Sequence, residues 1–205
     1  HEKGTLHIGM ECHPCYQWLL SIVNPFLQES PGVDVDVKQR FKFGGMAALF
    51  NYDIDLLITP DPWTMTQIIF KPVFGYELVL VVGENHPLRG QDYIVPQELL
   101  DETLFTYPVE TARLDIFQQF LIPAQCMPRQ HKQLEDTEII LQMVAANRGV
   151  TAMPRWLIDK YREKLPIYPI SLGAGIFKHI YVGYRQADQT NAHIQKFIEL
   201  AKHSG

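Results

Sequence analysis

The alternation of short strands and amphipathic helices over the first 59 residues most constrains what this chain can fold into. Residues 6–10 alternate with the period of two that is typical of a β-strand, and apolar side chains in residues 18–26 recur at the spacing of one helical face. Further strands are indicated at residues 33–38 and 55–59, with a short helix at residues 44–51 between them. This β-α-β-α-β order is typical of α/β proteins, in which helices cover a parallel sheet.

A second α/β set follows the apolar run at residues 76–82, which predicts a strand covered on both faces. The composition changes abruptly at residues 83–87, so we expect the chain to cross there into a second lobe. The predicted segments are a first lobe at residues 1–83, a second lobe at residues 84–178 and a return to the first lobe at residues 179–205. We therefore expect two Rossmann-like lobes with an inter-lobe cleft. The later predicted elements are strands at residues 103–107, 130–134, 150–153 and 180–184, helices at residues 96–101, 111–122, 156–164 and 194–201, and a helix capped by Asp136 or Thr137.

The composition argues against several classes of function. A formal net charge of −5 disfavours direct binding of nucleic acid by this chain, because phosphate neutralisation needs a basic surface. No apolar stretch reaches the roughly 18 residues that span a bilayer. Three cysteines are too few for a disulfide scaffold, so we expect a protein of the reducing cytoplasm, and the sequence leaves the redox state of Cys12 and Cys15 open. No signal peptide is visible at residues 1–5, and the start without Met is what we expect of a chain cut from a longer protein.

The turn between the first strand and the first helix is the expected functional site. Glu11, Cys12, His13 and Cys15 lie there around Pro14, a residue that suits the start of a helix. The unpaired N–H groups and the positive dipole end of a helix favour a carboxylate or a phosphate. We therefore expect this turn to contact a ligand.

The C-x-x-C motif of Cys12 and Cys15 allows three interpretations. As a redox pair the motif would have one thiol with a lowered pKa, because the helix dipole and His13 stabilise a thiolate. Glu11 opposes thiolate formation, and the chain lacks a thioredoxin-like organisation around the motif. As a metal site it supplies only half of a tetrahedral ligand set, and Cys126 is isolated in the sequence. We favour structural or ligand-lining cysteines, and we predict neither a metal nor a cofactor.

Two further strand ends carry candidate binding residues. Asp61 would pair with a ligand ammonium and Thr59 would donate to a carboxylate, because open parallel sheets bind ligands at the carboxyl ends of their strands. A surface turn is the alternative for Asp61. Pro108, Val109 and Arg113 occupy the corresponding junction of the second lobe. Arg113 would clamp a carboxylate if it turned inward, and would otherwise be a solvent-exposed arginine.

Sequence motifs for catalysis are missing. The chain contains no G-x-S-x-G, P-loop, G-x-G-x-x-G or H-E-x-x-H pattern, and its eight histidines are scattered. We therefore predict that the chain is not an enzyme.

Several segments together carry a resemblance to a known family. They are NYDIDLLI at residues 51–58, ELVLVV at residues 77–82, HPL at residues 86–88, QMVAA at residues 142–146 and GVTAMP at residues 149–154. These segments resemble the effector-binding half of LysR-type transcriptional regulators, in which Gly usually stands in place of Asn51. The resemblance spans residues 5–203 and implies the two-lobed fold of type-2 periplasmic binding proteins.

Within this family, residues 11–19, 107–109 and 113–115 are most similar to regulators of methionine biosynthesis, which respond to homocysteine. The resemblance implies a homocysteine pocket in the inter-lobe cleft and control of methionine-pathway genes. The thiol of homocysteine would pack beside Cys12 or Cys15, exchange into a mixed disulfide or share a metal, and we favour packing. Matched by position, the residues that would line the pocket are Cys12, His13, Thr59, Asp61, Pro108 and Val109.

The resemblance also implies partners for this chain. We expect a homodimer or tetramer, with the helix at residues 16–26 paired to the second-lobe helix at residues 139–146. We expect DNA to be bound through an N-terminal winged helix-turn-helix that is not part of this sequence. The alternatives are a free-standing solute-binding protein of a transporter and, less favoured, a C-x-x-C thiol oxidoreductase.

Overall fold

Strands and helices alternate in the computed structural model, which describes residues 4–38 and 44–204. The strands are β1 (Gly4–Met10), β2 (Val33–Lys38), β3 (Leu56–Thr59), β4 (Ile68–Gly83), β5 (Tyr93–Ile94), β6 (Thr103–Thr106), β7 (Gln130–Gln133), β8 (Val150–Pro154) and β9 (Ile167–Arg185). The α-helices are α1 (Cys15–Glu29), α2 (Gly45–Phe50), α3 (Thr137–Ala145), α4 (Arg155–Tyr161) and α5 (Ala192–Lys202). The chain divides into a first unit, His1–Gly75 with Lys178–Gly205, and a second unit, Tyr76–Phe177.

Parallel pairing organises the sheet of the first unit, whose strand order is β2-β1-β3-β9. β1 pairs in parallel with both of its neighbours, so that Ile8 lies opposite Val37 of β2 and Leu56 of β3. β9 runs antiparallel to β3, with Thr59 opposite Tyr181. The predicted β-α-β-α-β arrangement is thus confirmed for β1, β2 and β3, and β9 makes the sheet mixed.

Helix α1 buries one apolar face although it contains Pro25. Trp18 and Phe26 are almost fully buried, and the Phe26 ring meets the ring of Phe197 from α5 edge-on at a centroid distance of 5.8 Å. The Trp18 indole N–H donates to Ser204 Oγ at 2.9 Å. The burial of this face compensates for the hydrogen bond that a proline removes from a helix interior.

The second unit is built around β6, in the strand order β4-β8-β6-β7. β6 is parallel to both β7 and β8, so that Phe105 lies opposite Lys132 and Thr151. β4 runs antiparallel to β8. Val79 and Leu80 of β4 are fully buried in two different apolar clusters, because successive side chains of a strand point to opposite faces. The strand predicted at residues 76–82 is therefore covered on both faces, as expected.

Two segments predicted as ordinary helices have other geometries. Residues 96–101 hold a 3₁₀ turn at Pro96–Leu99, and residues 111–122 hold a 3₁₀ turn at Thr111–Arg113, a π-helical turn at Ile116–Leu121 and the start of a second 3₁₀ turn at Ile122–Ala124. Ile116 and Leu121 stand at the two ends of the π-helical turn, and both are buried. A π-helix places residues i and i+5 on one face, which is the separation of Ile116 and Leu121. Burial of both side chains against the core therefore favours the π-helical turn over an ordinary α-helical one.

Strands β4 and β9 are much longer than their predicted counterparts. Each contains a change of unit, between Gly75 and Tyr76 in β4 and between Phe177 and Lys178 in β9. The crossing predicted at residues 83–87 lies further along the chain, at the end of β4. Because the chain passes from one unit to the other within an extended strand, no loop is needed there. The amino-acid composition therefore does not change at the boundary between the units.

Truncation of Phe197 tests the assigned core of the first unit. Phe197→Ala should lower the free energy of unfolding by roughly 3–5 kcal/mol, because it removes a fully buried ring and leaves a cavity. The same change at Phe177, whose side chain is 72% exposed, should alter the free energy of unfolding by less than about 0.5 kcal/mol. Urea denaturation measures both values, and equal losses would contradict this assignment.

Candidate functional site

The carboxyl ends of β1 and β3 lie side by side in the first unit. Met10 is the register partner of Ile58, and the Glu11 N–H continues the pairing by donating to the Ile58 carbonyl at 3.0 Å. Thr59 follows Ile58 directly. The turn that begins at Glu11 and the loop that begins after Thr59 therefore leave the same edge of the sheet.

A disulfide closes the turn that follows β1. The sulfurs of Cys12 and Cys15 are bonded, with their Cα atoms 5.3 Å apart, a separation that suits a disulfide. The Cys15 N–H, at the first residue of α1, donates to Cys12 Sγ at 3.1 Å. The sequence left the redox state of this pair open, and in the structure the helical turn that begins at Pro14 brings the two cysteines within bonding distance. Cys126, in the second unit, is a buried free cysteine.

Glu11 supports the fold next to this disulfide. Its Oε1 accepts from the Gly45 N–H at 3.2 Å, at the start of α2. A Cβ at Gly45 would clash with the buried Leu57 side chain and would lie 2.8 Å from the same oxygen, so a glycine here leaves room for both neighbours. The carboxylate thereby ties the β1 turn to α2, a role that the sequence analysis did not predict.

Thr59 and Asp61 form a compact turn at the end of β3. Thr59 is buried, and its Oγ1 accepts from the Asp61 N–H at 3.1 Å. The Asp61 side chain is 57% exposed, and its Oδ1 lies 2.6 Å from Nζ of Lys178 in β9. The turn geometry matches the alternative that we considered for Asp61, and its carboxylate has a cationic neighbour that the sequence analysis missed. Lys178 precedes the predicted strand at residues 180–184, and no local pattern connects it with Asp61.

The predicted site residues of the second unit follow β6. Pro108 and Val109 are half-buried, and the Val109 carbonyl accepts from Gln133 Nε2 at 2.8 Å. Arg113 ends the following 3₁₀ turn and is exposed, which matches the solvent-facing alternative. That these residues line one pocket with the β1 turn stays a prediction.

Two polar side chains near the ends of β6 and β7 were missed by the sequence analysis. The Tyr107 hydroxyl lies 2.6 Å from Thr137 Oγ1, and burial raises the pKa of the Tyr107 phenol above its usual value. His131 Nε2 lies 2.6 Å from Thr106 Oγ1, and burial lowers the pKa of the His131 ring. Both shifts favour the neutral forms, so these groups offer uncharged hydrogen-bonding atoms.

Comparison with known proteins identifies the family. The sequence matches the LysR substrate binding domain over residues 1–205. The chain belongs to this family. It is 34% identical over 201 residues to the HTH-type transcriptional regulator MetR of Escherichia coli K12, and 29% identical over 202 residues to MetR of Haemophilus influenzae. Each alignment covers 98% of this chain, but only 63% and 65% of the two relatives, so the chain spans less than two thirds of their length.

Solved structures agree with this assignment. The regulatory domain of MetR from N. meningitidis has a TM-score of 0.88 and 30% identity, with 98% of this chain and 94% of that chain covered. A mutant of that domain with two cysteines replaced by serine gives a TM-score of 0.85 at 28% identity, with 98% and 95% covered. The Synechocystis CcmR regulatory domain, at 20% identity, a TM-score of 0.83 and 98% and 97% coverage, shows the fold alone.

These comparisons confirm the predicted family and the type-2 periplasmic-binding-like fold. The chain is the effector-binding domain of a LysR-type regulator related to MetR. The named relatives are HTH-type transcriptional regulators. Within residues 4–38 and 44–204, the structure has no helix that is long and apolar enough to cross a membrane.

Removal of the Tyr107 hydroxyl tests the hydrogen bond described at the end of β6. Tyr107→Phe should lower the free energy of unfolding by about 1–3 kcal/mol, because the Thr137 hydroxyl loses its hydrogen bond to Tyr107 and is left against the buried ring of residue 107. Tyr93→Phe, at a side chain that is 59% exposed, is the matched control and should be nearly neutral. Thermal denaturation compares the two variants, and a neutral Tyr107→Phe would contradict the described contact.

Proposed function

We propose that this domain senses a small sulfur-containing amino acid, with homocysteine favoured, and thereby controls methionine-pathway genes. The observation that carries the proposal is the disulfide-closed turn of Cys12 and Cys15 beside the Thr59–Asp61 turn, in a chain related to MetR over 98% of its length. The carboxyl ends of strands in open α/β sheets are the usual place for a ligand.

The chemistry of this edge suits an amino acid with sulfur in its side chain. Asp61 offers a carboxylate to the ligand ammonium, and the first turn of α1 offers N–H groups to the ligand carboxylate. Cys12 offers a polarisable sulfur for packing. We propose Cys12, His13, Thr59 and Asp61 as contacts from the first unit.

The remaining predicted residues have different proposed roles. Pro108 and Val109 are proposed as effector contacts from the second unit. We propose that Glu11 and Cys15 act mainly by shaping the turn, since Glu11 holds α2 and Cys15 is fully buried, and their direct contact with the effector stays a prediction. Arg113 remains a candidate for the ligand carboxylate only if its exposed side chain reorients.

The whole regulator is proposed to bind DNA through its N-terminal part and to act in the cytoplasm as a homodimer or tetramer. Leu20 and Leu27 of α1 are 48% and 41% exposed, and Ile139 of α3 is 54% exposed, so both predicted dimer helices carry apolar surface. A ligand that binds two domain arrangements with different affinity would shift their populations, which is how sensing would reach the DNA-binding part.

The disulfide also supports a second candidate, a thiol oxidoreductase that uses Cys12 and Cys15. A thiol ligand such as homocysteine could attack the disulfide and form a mixed disulfide, whereas methionine, a thioether, could not. The named relatives favour the regulator. A free-standing solute-binding protein would also tolerate a disulfide, but the match to the LysR family favours a regulator over this alternative.

Calorimetric titration of the 205-residue chain with homocysteine, methionine and cysteine tests the proposal. Homocysteine should bind with saturation, and Cys12→Ala should weaken its binding about tenfold, equivalent to roughly 1.4 kcal/mol, by removing the sulfur contact and opening the disulfide-closed turn. Cys126→Ala, a matched change at the free cysteine of the second unit, should leave the affinity unchanged.

Two outcomes would contradict this proposal. No measurable binding of the three amino acids would remove the proposed effector class, and equal effects of Cys12→Ala and Cys126→Ala would remove the proposed contact. A mixed disulfide detected by mass spectrometry after titration would contradict packing as the mode of sulfur contact, and catalytic turnover of disulfides by the chain would favour the oxidoreductase candidate.

A further inference from the structure

The ion pair of Asp61 and Lys178 lies at the same edge as the proposed effector contacts. Asp61 belongs to the loop after β3, and Lys178 belongs to β9, the antiparallel neighbour of β3. Nζ of Lys178 lies 2.6 Å from Asp61 Oδ1. Both residues belong to the first unit.

The two ions differ in their contact with water. The Lys178 side chain is 11% exposed, whereas the Asp61 side chain is 57% exposed. A largely covered ammonium depends on a carboxylate partner, because removing one member of such a pair leaves the other charge poorly solvated. Asp61 Oδ1 accepts a hydrogen bond from Lys178 Nζ, and Asp61 Oδ2 has no hydrogen bond within the described part of the chain. The pair therefore offers solvent a carboxylate oxygen beside a positive charge.

We propose that the Asp61–Lys178 pair makes this site selective for zwitterionic α-amino acids, an inference that rests on the proposed function. The ligand ammonium would bind Asp61, and the ligand carboxylate, which the N–H groups of the first turn of α1 also attract, would lie towards Lys178. The two charges of the ligand would then lie antiparallel to the two charges of the Asp61–Lys178 pair. An α-amino acid carries its ammonium and its carboxylate on the same α-carbon, so the two charges lie close enough together to match a single ion pair.

Ligands with only one of the two charges would fit this pair poorly. A carboxylic acid without the amino group would compete with Asp61 for Lys178 and face repulsion from the Asp61 carboxylate. An amine without the carboxylate would meet Asp61 already neutralised and face repulsion from Lys178. A zwitterion satisfies both ions at once, so selectivity comes from charge arrangement and does not depend on the ligand side chain.

Titration of the 205-residue chain with homocysteine and two single-charge analogues tests the inference. One analogue lacks the amino group and the other lacks the carboxylate, and both keep the thiol. Homocysteine should bind at least about tenfold more tightly than either analogue. Lys178→Met and Asp61→Asn should each remove this preference, and Lys178→Arg should keep most of it because the positive charge remains.

Lys196→Met is the matched control, since Lys196 is another ion-paired lysine of the first unit and its partner is Glu29. This variant should keep the preference for homocysteine. Thermal denaturation checks that every variant is folded. If Lys178→Met does not fold, the preference of the unaltered chain and the behaviour of Lys178→Arg and Asp61→Asn decide the result.

The failure of the inference can be told apart from the failure of the proposed function. Tight binding of homocysteine with equal affinity for its analogues, or with full affinity in Lys178→Met, would overturn the zwitterion inference and leave the effector assignment in place. No binding of homocysteine to the unaltered chain would overturn both.

Discussion

Parallel pairing of β1 with β3 determines where the candidate site lies. Because the two strands run in the same direction, their carboxyl ends share one edge, and the Glu11 N–H extends this pairing to the Ile58 carbonyl. The disulfide-closed turn and the Thr59–Asp61 turn follow from this register. If β3 slipped by one residue relative to β1, each of its buried side chains would point to the opposite face of the sheet. Packing of the core therefore fixes the pairing of the two strands, and with it the position of the site.

Elements with a strong local period were predicted well from the sequence. β1, β2 and the apolar part of β4 lie where alternation or a continuous apolar run indicated strands. The early part of β9 was missed because Gly173 and Gly175 have positive φ values and interrupt its pattern. The π-helical turn at Ile116–Leu121 was missed because its wider geometry depends on burial against residues distant in the sequence.

Contacts at the candidate site were only partly predictable. The turn after β1 was chosen from sequence because strand and helix patterns meet there, but the number and spacing of the cysteines did not decide whether Cys12 and Cys15 are bonded. The partners Asp61 and Lys178 are 117 residues apart, and Arg185 similarly reaches Asp55 from 130 residues away. Such pairs form only when β9 returns beside β3, so no local sequence pattern reveals them. The strand and helix pattern supplied the two-lobed α/β class, and the family resemblance supplied the fold family and the class of function.

The position of the effector site at the shared edge of β1 and β3 is the central claim, and amide NMR during homocysteine titration tests it most directly. Nitrogen-labelled chain should show its largest shift changes at Cys12, Cys15, Asp61 and Lys178. The exposed loop at Gly90 in the second unit should not respond. Saturable shifts confined to residues away from the β1 and β3 ends would contradict the account.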